Sequence, residues 1–529
     1  MNILKKVKPA LLLVVLLVAA WPTMANNIIV SNVSITGQNP VDDFSMVTFN
    51  VSWENSWRTS THESNWDAAW IFVKFRLSGT VDWQHAFLNN TGHSAPTGAT
   101  IASGLVNTAA VFHPTTNPAV GVFLHRSADG IGPVNFTNVQ LRWNYGVSGL
   151  SDYATVEICV FAIEMVFIRQ GSFYVGDNPA GGSISSGHFV AGTTTTPFQI
   201  TSEGALTIGN AVPADLWGTS TTVGAFNTIG SPGTLPAAFP KGFAGFYIMK
   251  YELSQFMYKE FLNRLTRTQQ GARISTTIVG NFMSSGAGTT SPANRNGIRL
   301  ISDPMGTFPR LYGNDVNGNN VEGEADDGIH VAVNFISPDD LRAFADWAGL
   351  RPITELEYEK ASRGHLWPLT NERAWGNTMQ TNATVLTNPF RNNEIASNIG
   401  ANICFGSAAG IQGPMRSGTF AGSATNRQQS GGSYYGVMEM SGNLWEHVVS
   451  VGIDAQRTFD GTNHGNGVLT APGAGDVSGW PTSFGQRGGA WSNTSVENQI
   501  SDRSRASAPT LNWDRSASFG IRLGRSLNP

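Results

Sequence analysis

The sequence predicts an antiparallel β-sandwich over residues 26–161 followed by an α+β domain over residues 162–529. Up to Phe161 the apolar residues fall in short β-branched or aromatic runs parted by Gly, Asn, Pro and Asp, the pattern of stacked strands. Beyond it, a few capped helical patterns sit in long stretches rich in Gly, Trp, Ser and Thr, so helices and strands do not alternate as in a parallel α/β fold. Charged residues make up only 13% of the 529, about half the usual share. That balance suits a loop-rich exported protein.

The chain opens with Lys5, Lys6 and Lys8, then the unbroken apolar run "ALLLVVLLVAA" (Ala10 to Ala20), then Thr23 and Ala25 before Asn26. Residues 1–25 therefore read as a signal peptide with a small-residue cleavage site. The run is too short to span a bilayer and nothing later matches it, so a secreted, periplasmic or cell-surface location is expected, without a membrane span. Export permits a disulfide between Cys159 and Cys404; two separately buried thiols are the open alternative. With a net charge of −4 and no Lys/Arg cluster, nucleic acid has no electrostatic footing.

The strands are read from "NIIVSNVSI", "FSMVTFNVSW", "AAWIFVKFRL", "VQLRWNYGV" and "ATVEICVFAI". His85, His93, His113 and His125 lie among them without ligand spacing and read as structural or surface residues. The first helix falls in "YELSQFMYKEFLNRLTR", where Tyr258, Phe261, Leu262 and Leu265 share a face behind Ser254 as N-cap. The second has Ser337 as cap, Pro338 at its first position, Asp340 as the capping-box acid and Gly349 at its end. The third starts at Thr354, with Glu357 completing a capping box.

"MVFIRQGSFYVGD", "LRPITELEYEKASRG", "AWGN", "YYGVMEMSGNLWEHV", "RGGAW" and "FGIRL" follow one another in that order. Together they resemble the sulfatase-modifying-factor, or formylglycine-generating-enzyme, family over residues 162–529. The resemblance implies a variant of the C-type lectin fold. It also implies a chemistry, oxidation of a substrate cysteine by O₂ at a copper ion held by two cysteines, a soft-ligand site. Those thiols belong between the "RGGAW" and "FGIRL" motifs, and here that interval holds no cysteine. Asn498 and Arg503 fall where they would be, so copper and formylglycine formation are not expected. No G-x-S-x-G, G-x-x-x-x-G-K-[ST] or H-E-x-x-H motif supplies another chemistry.

Calcium is the expected cofactor, in a structural role. The resemblance implies one site at the side chains of Glu439 and Glu446 with the carbonyls of Gly442 and Leu444, and a second at Asn402 and the carbonyl of Ile403. A third candidate is read from spacing alone: Asp315, Asn317, Asn319 and Asp326 in "DVNGNNVEGEADDG" match alternate positions and the twelfth position of a calcium loop. Asn320 stands where such a loop needs Gly, and a solvated turn cluster is the alternative.

The polar segment "ISDRSRASAPTLNWDRSASFGIR" remains. Retroelement-diversified variable proteins, which share the family fold, display their variable residues between similar motifs. The Ser, Asn, Arg and Trp content suits a contact surface. Asn498, Asp502, Arg503, Arg505, Asn512 and Trp513 are the candidate ligand-binding residues, with a protein or glycan as partner. The competing reading makes Asp502, Arg503 and Arg505 internal struts. The sequence does not fix the oligomeric state.

Overall fold

The computed structural model describes residues 23–25, 28–104, 119–178, 187–219, 229–284, 288–406, 410–421, 426–508 and 514–527. His113, Asn512, Trp513 and most of the expected signal peptide lie outside them. Thr23–Ala25 form a short strand paired with Ile28 to Val30.

Besides the short pieces Thr23–Ala25 and Gln84–His85, the first third holds β1 (Ile28–Asn39), β2 (Phe44–Arg58), β3 (Asp67–Leu77), β4 (Ala99–Ser103), β5 (Val122–Arg126), β6 (Gly130–Trp143) and β7 (Val156–Ile168). Along β2, buried and half-buried residues alternate from Phe44 to Trp53, as expected of a sheet with one covered face. In contrast, β3 is buried at every position from Asp67 to Phe75, and a strand covered on both sides reads as a continuous apolar run. The sheet of Thr23–Ala25, β1, β2 and β6 lays its buried face on β3 and β7. Trp143 meets Phe75 with ring centroids 5.0 Å apart, and Trp53 donates its indole N–H to Asp67 at 2.8 Å.

No break falls at residue 162. Strand β7 runs through that point, pairing with β3 on one edge and with β8 (Phe246–Met249) on the other. The rest of the chain supplies α1 (Gln255–Leu262), α2 (Arg267–Arg273), α3 (Pro338–Trp347), β9 (Arg351–Thr354), α4 (Glu355–Arg363), β10 (Trp445–Val449), β11 (Gly485–Arg487), β12 (Phe519–Gly520) and β13 (Leu523–Ser526), besides shorter elements. One eleven-stranded sheet runs β11-β10-β9-β13-β8-β7-β3-β5-β4, with β12 beside β10 and the pair Gln84–His85 beside β3. The protein is thus mostly β with few helices. A single apolar cluster reaches from Ile28 to Leu523. The physical reason is that β7 is an interior strand: its second edge needs ladder partners, and β8 provides them.

The helices start where their caps predict. Ser254 accepts from the Met257 N–H, and Ser337 with Asp340 and Thr354 with Glu357 form complete capping boxes. Leu265 is buried but lies beyond the end of α1. Helix α2, capped by Thr266 and Gln269, is an element that the hydrophobic periodicity does not reveal.

Candidate functional site

Below the C-terminal polar segment lies a buried cluster of acids and arginines set by α4. Glu355, Glu359 and Arg363 are one turn apart on that helix, so they share a face. Glu355 takes the Arg503 guanidinium on both oxygens, Nε to Oε2 at 3.0 Å and Nη2 to Oε1 at 3.1 Å. It also accepts from Arg487 at 2.9 Å and from the Val451 N–H at 2.7 Å. Glu359 takes the other arm of Arg487 at 2.6 Å, and Arg363 at 3.1 Å. Burial alone would raise the Glu355 carboxyl, but Arg503 and Arg487 hold it below its usual range. All five groups are buried, so the pairs stand in low dielectric, where loss of one partner strands the other.

This decides where the candidate binding residues stand. Arg503 is fully buried, paired to Glu355 and stacked over Phe189 at 4.3 Å. Asp502 and Asn498 are also buried. These three are internal, and a ligand arriving from solvent does not meet them. Gly489 explains part of the crowding: at φ 74°, any Cβ there would run into Asn498 and Glu497. Arg505 is half-buried, with its Nε 2.5 Å from Gln486 Oε1 and its guanidinium near the Trp445 and Phe519 rings. Among the described residues, the exposed or half-exposed positions in and just before the segment are 492–497, Ser504, Arg505, Ser507 and 514–518. Ser492 Oγ to Ser518 Oγ at 2.6 Å and the Trp491 indole to Ala517 O at 2.9 Å tie the first and last of these stretches together.

At the first metal candidate, the two expected carboxylates lie on either side of a tight turn. Gly442 turns the chain at φ 82°, where a Cβ would meet the Cys404 carbonyl at 2.6 Å. The turn holds Glu439 and Glu446 inside the protein. Glu439 Oε1 accepts from the Gly418 N–H at 2.7 Å, and Glu446 Oε1 takes Arg522 Nε at 2.6 Å. The remaining oxygen of each, Oε2, has no hydrogen-bond partner among the described residues. Burial pushes the Glu439 carboxyl up to about 7 despite Arg522. Glu252, pushed well up by burial, feels the same Arg522 and both other acids. Glu439 also feels Arg416, and the two orphaned carboxylate oxygens are of the hard type that calcium takes.

At the other two metal candidates, expected donors accept from backbone N–H groups. Asn402 Oδ1 accepts from Thr381 N and the Ile403 carbonyl from Ala383 N, both at 2.8 Å. Each of these oxygens joins two loops through one hydrogen bond. Asp315 is fully buried and paired to Arg299 at 2.6 Å, with its oxygens accepting from Asn319 N and Asn320 N. Asn317 Oδ1 and Asn319 Oδ1 accept from Asn319 N and Val321 N. The spacing is that of nested side-chain turns, not of a ligand shell around Asp326. Among the described residues, one oxygen from each of Glu324, Asp326 and Asp327 does converge.

The two cysteines are unpaired. Cys159 accepts from Arg264 at 3.4 Å on β7, and burial pushes the Cys404 thiol up to about 12. Sequence reasoning missed Glu355, Glu359 and Arg363 as the centre of the site. The signal was present as acids one turn apart followed by an arginine at the same spacing.

Among solved structures the chain is similar to variable protein 1 of Treponema denticola, at 12% identity over 61% of this chain and 99% of that one, with a TM-score of 0.25. It is also similar to the U1 and I1 variants of the major tropism determinant, at 14% and 15% identity over 68% of this chain and 72% of each, with TM-scores of 0.22 and 0.21. No curated protein matches. The model of the sulfatase-modifying factor enzyme 1-like domain matches residues 216–527, beginning later than the resemblance read from residue 162. That match, over the stretch that holds α4, the Glu439–Glu446 turn and the arginine cluster, assigns the chain to the family of sulfatase-modifying factor enzyme 1-like domains.

Proposed function

We propose that the chain is an exported recognition module in which the family's oxidase chemistry has been replaced by structure. The supporting observation is Arg503. It stands where the resemblance puts a copper-binding thiol, and it is a buried strut clamped to Glu355. A guanidinium cannot serve as a thiolate ligand to soft copper, and neither remaining cysteine lies in that interval.

The ligand-facing surface in this reading is the rim of residues 492–497 and 514–518, with Arg505, Asn512 and Trp513. The frame beneath it is Glu355, Arg487 and Arg503. A structural calcium held by Glu439 and Glu446, with the carbonyls of Gly442 and Leu444, completes the frame. Its support is the pair of orphaned carboxylate oxygens.

The test is a protein and glycan binding screen with and without calcium chelation, followed by Trp513→Ala. Binding weakens roughly tenfold or more if Trp513 is an anchor, with little change in Tm. Copper-dependent conversion of a cysteine peptide to an aldehyde would overturn the reading. Chelation lowers Tm in the wild type, and Glu446→Ala lowers both the stability and the size of that response; an unchanged wild-type melt removes the calcium.

A further inference from the structure

We propose that Glu324, Asp326 and Asp327 bind a divalent cation of the calcium type, at a site independent of Glu439 and Glu446. One carboxylate oxygen from each of the three lies within 4.8 Å of the others. Oxygens so spaced fit on one calcium shell, whose diameter is about 4.6–5.2 Å.

Convergence of acids on a surface is common without an ion, and Asp327 is what distinguishes this cluster. It is 1% exposed, so water does not satisfy it. Its Oδ2 accepts from the Glu324 N–H at 2.7 Å, while Oδ1 has no hydrogen-bond partner among the described residues. A buried carboxylate oxygen left unpaired is costly, and it belongs to a carboxylate grouped with two others.

Nearby positive charge does not resolve this. Arg391 reaches Asp326 at 3.0 Å in a pair that is largely solvent-exposed, and Arg299 is committed to Asp315 and Glu322. The donors are hard oxygens with no thiol or imidazole in the group, which favours calcium over zinc or copper.

Such an ion would act on the frame. The loop it closes leads to Ile329 and Val331, whose carbonyls accept from Phe256 N and Gln255 N at the start of α1, at 3.0 and 2.9 Å. Fixing residues 324–327 therefore fixes the entry to that helix.

The experiment counts calcium bound per chain by equilibrium dialysis of the full chain, comparing wild type, Asp326→Asn, Asp327→Asn and Glu439→Gln. The Asp326 and Asp327 variants are expected to lose one equivalent, or to bind it at least tenfold more weakly, while Glu439→Gln retains it. Unchanged calcium content in both Asp variants overturns the proposal. Where Asp327→Asn fails to fold, amide exchange of the wild type decides: calcium slows exchange across residues 323–328, and no calcium-dependent change there overturns the site. Equal retention of magnesium at the same free concentration overturns the calcium assignment.

Discussion

Between Ile28 and Ile168 the chain satisfies its backbone in long strand ladders, such as the eleven-residue pairing of β3 with β7, and fills the space between them with apolar side chains. Between Arg351 and Arg525 the strands are two to five residues long, and much of the chain is loop. There the crossings are made by buried arginines. Arg522 joins Glu446 to the carbonyls of Met249 and Met438, Arg363 joins Glu372 to those of Tyr174 and Gly176, and Arg487 joins two acids of α4 to Ile500. A loop-rich frame has few ladders to hold its segments in place, and a guanidinium with five donors can hold three at once. Such pairs add little net stability when both partners are present. Their effect is to make one arrangement of loops far better than the others.

The largest test breaks the hub. Glu355→Gln leaves Arg487 and Arg503 buried with reduced compensation, and unfolding free energy should fall by about 3–5 kcal/mol, measured by denaturant titration. Leu141→Ala in the ladder region should cost about 2–5 kcal/mol through its cavity. A cost for Glu355→Gln under ~1 kcal/mol on the scale of surface pairs would mean that the hub does not hold the loops.

Acid separates these two variants. The folded Glu355 carboxyl lies below its unfolded value of 4.5, so its contribution is present above pH 4.5 and is lost as pH falls through the folded value. Wild type and Leu141→Ala should lose stability in parallel below pH 4.5, while Glu355→Gln falls less steeply. Superimposable slopes for all three would remove the charge from the account. The smallest effect belongs to Arg76 and Glu157 on neighbouring strands, 2.7 Å apart and each 28% exposed. Arg76→Ala should cost no more than ~1 kcal/mol, and less in high salt.

The ladder region was the more legible of the two. Short β-branched and aromatic runs gave β1, β2 and β3, and local capping boxes gave α3 and α4, because each signal lies within a few residues. The sequence reading placed a boundary at residue 161, but β7 runs through it, since an interior strand and a terminal strand have the same composition. Arg503 looked like a surface residue in a polar, Gly-fenced segment, and its partner Glu355 is 148 residues upstream. The Asp315 spacing was read correctly as a pattern of oxygens, but side-chain turns and calcium loops place the same residues at the same intervals, and only the direction of each oxygen separates them. The Glu439–Glu446 turn was found because its motif is local.

The position of β13 bears on how this protein assembles. It lies in the middle of the large sheet, between β8 and β9, and Arg522 just before it reaches the Met249 carbonyl across 273 residues of sequence. Until those final residues dock, β8 and β9 each carry an unpaired edge, and unpaired edges recruit other chains. Pairing at that separation is slow. A chain interrupted before β13 would therefore leave the sheet open at its centre and prone to aggregate.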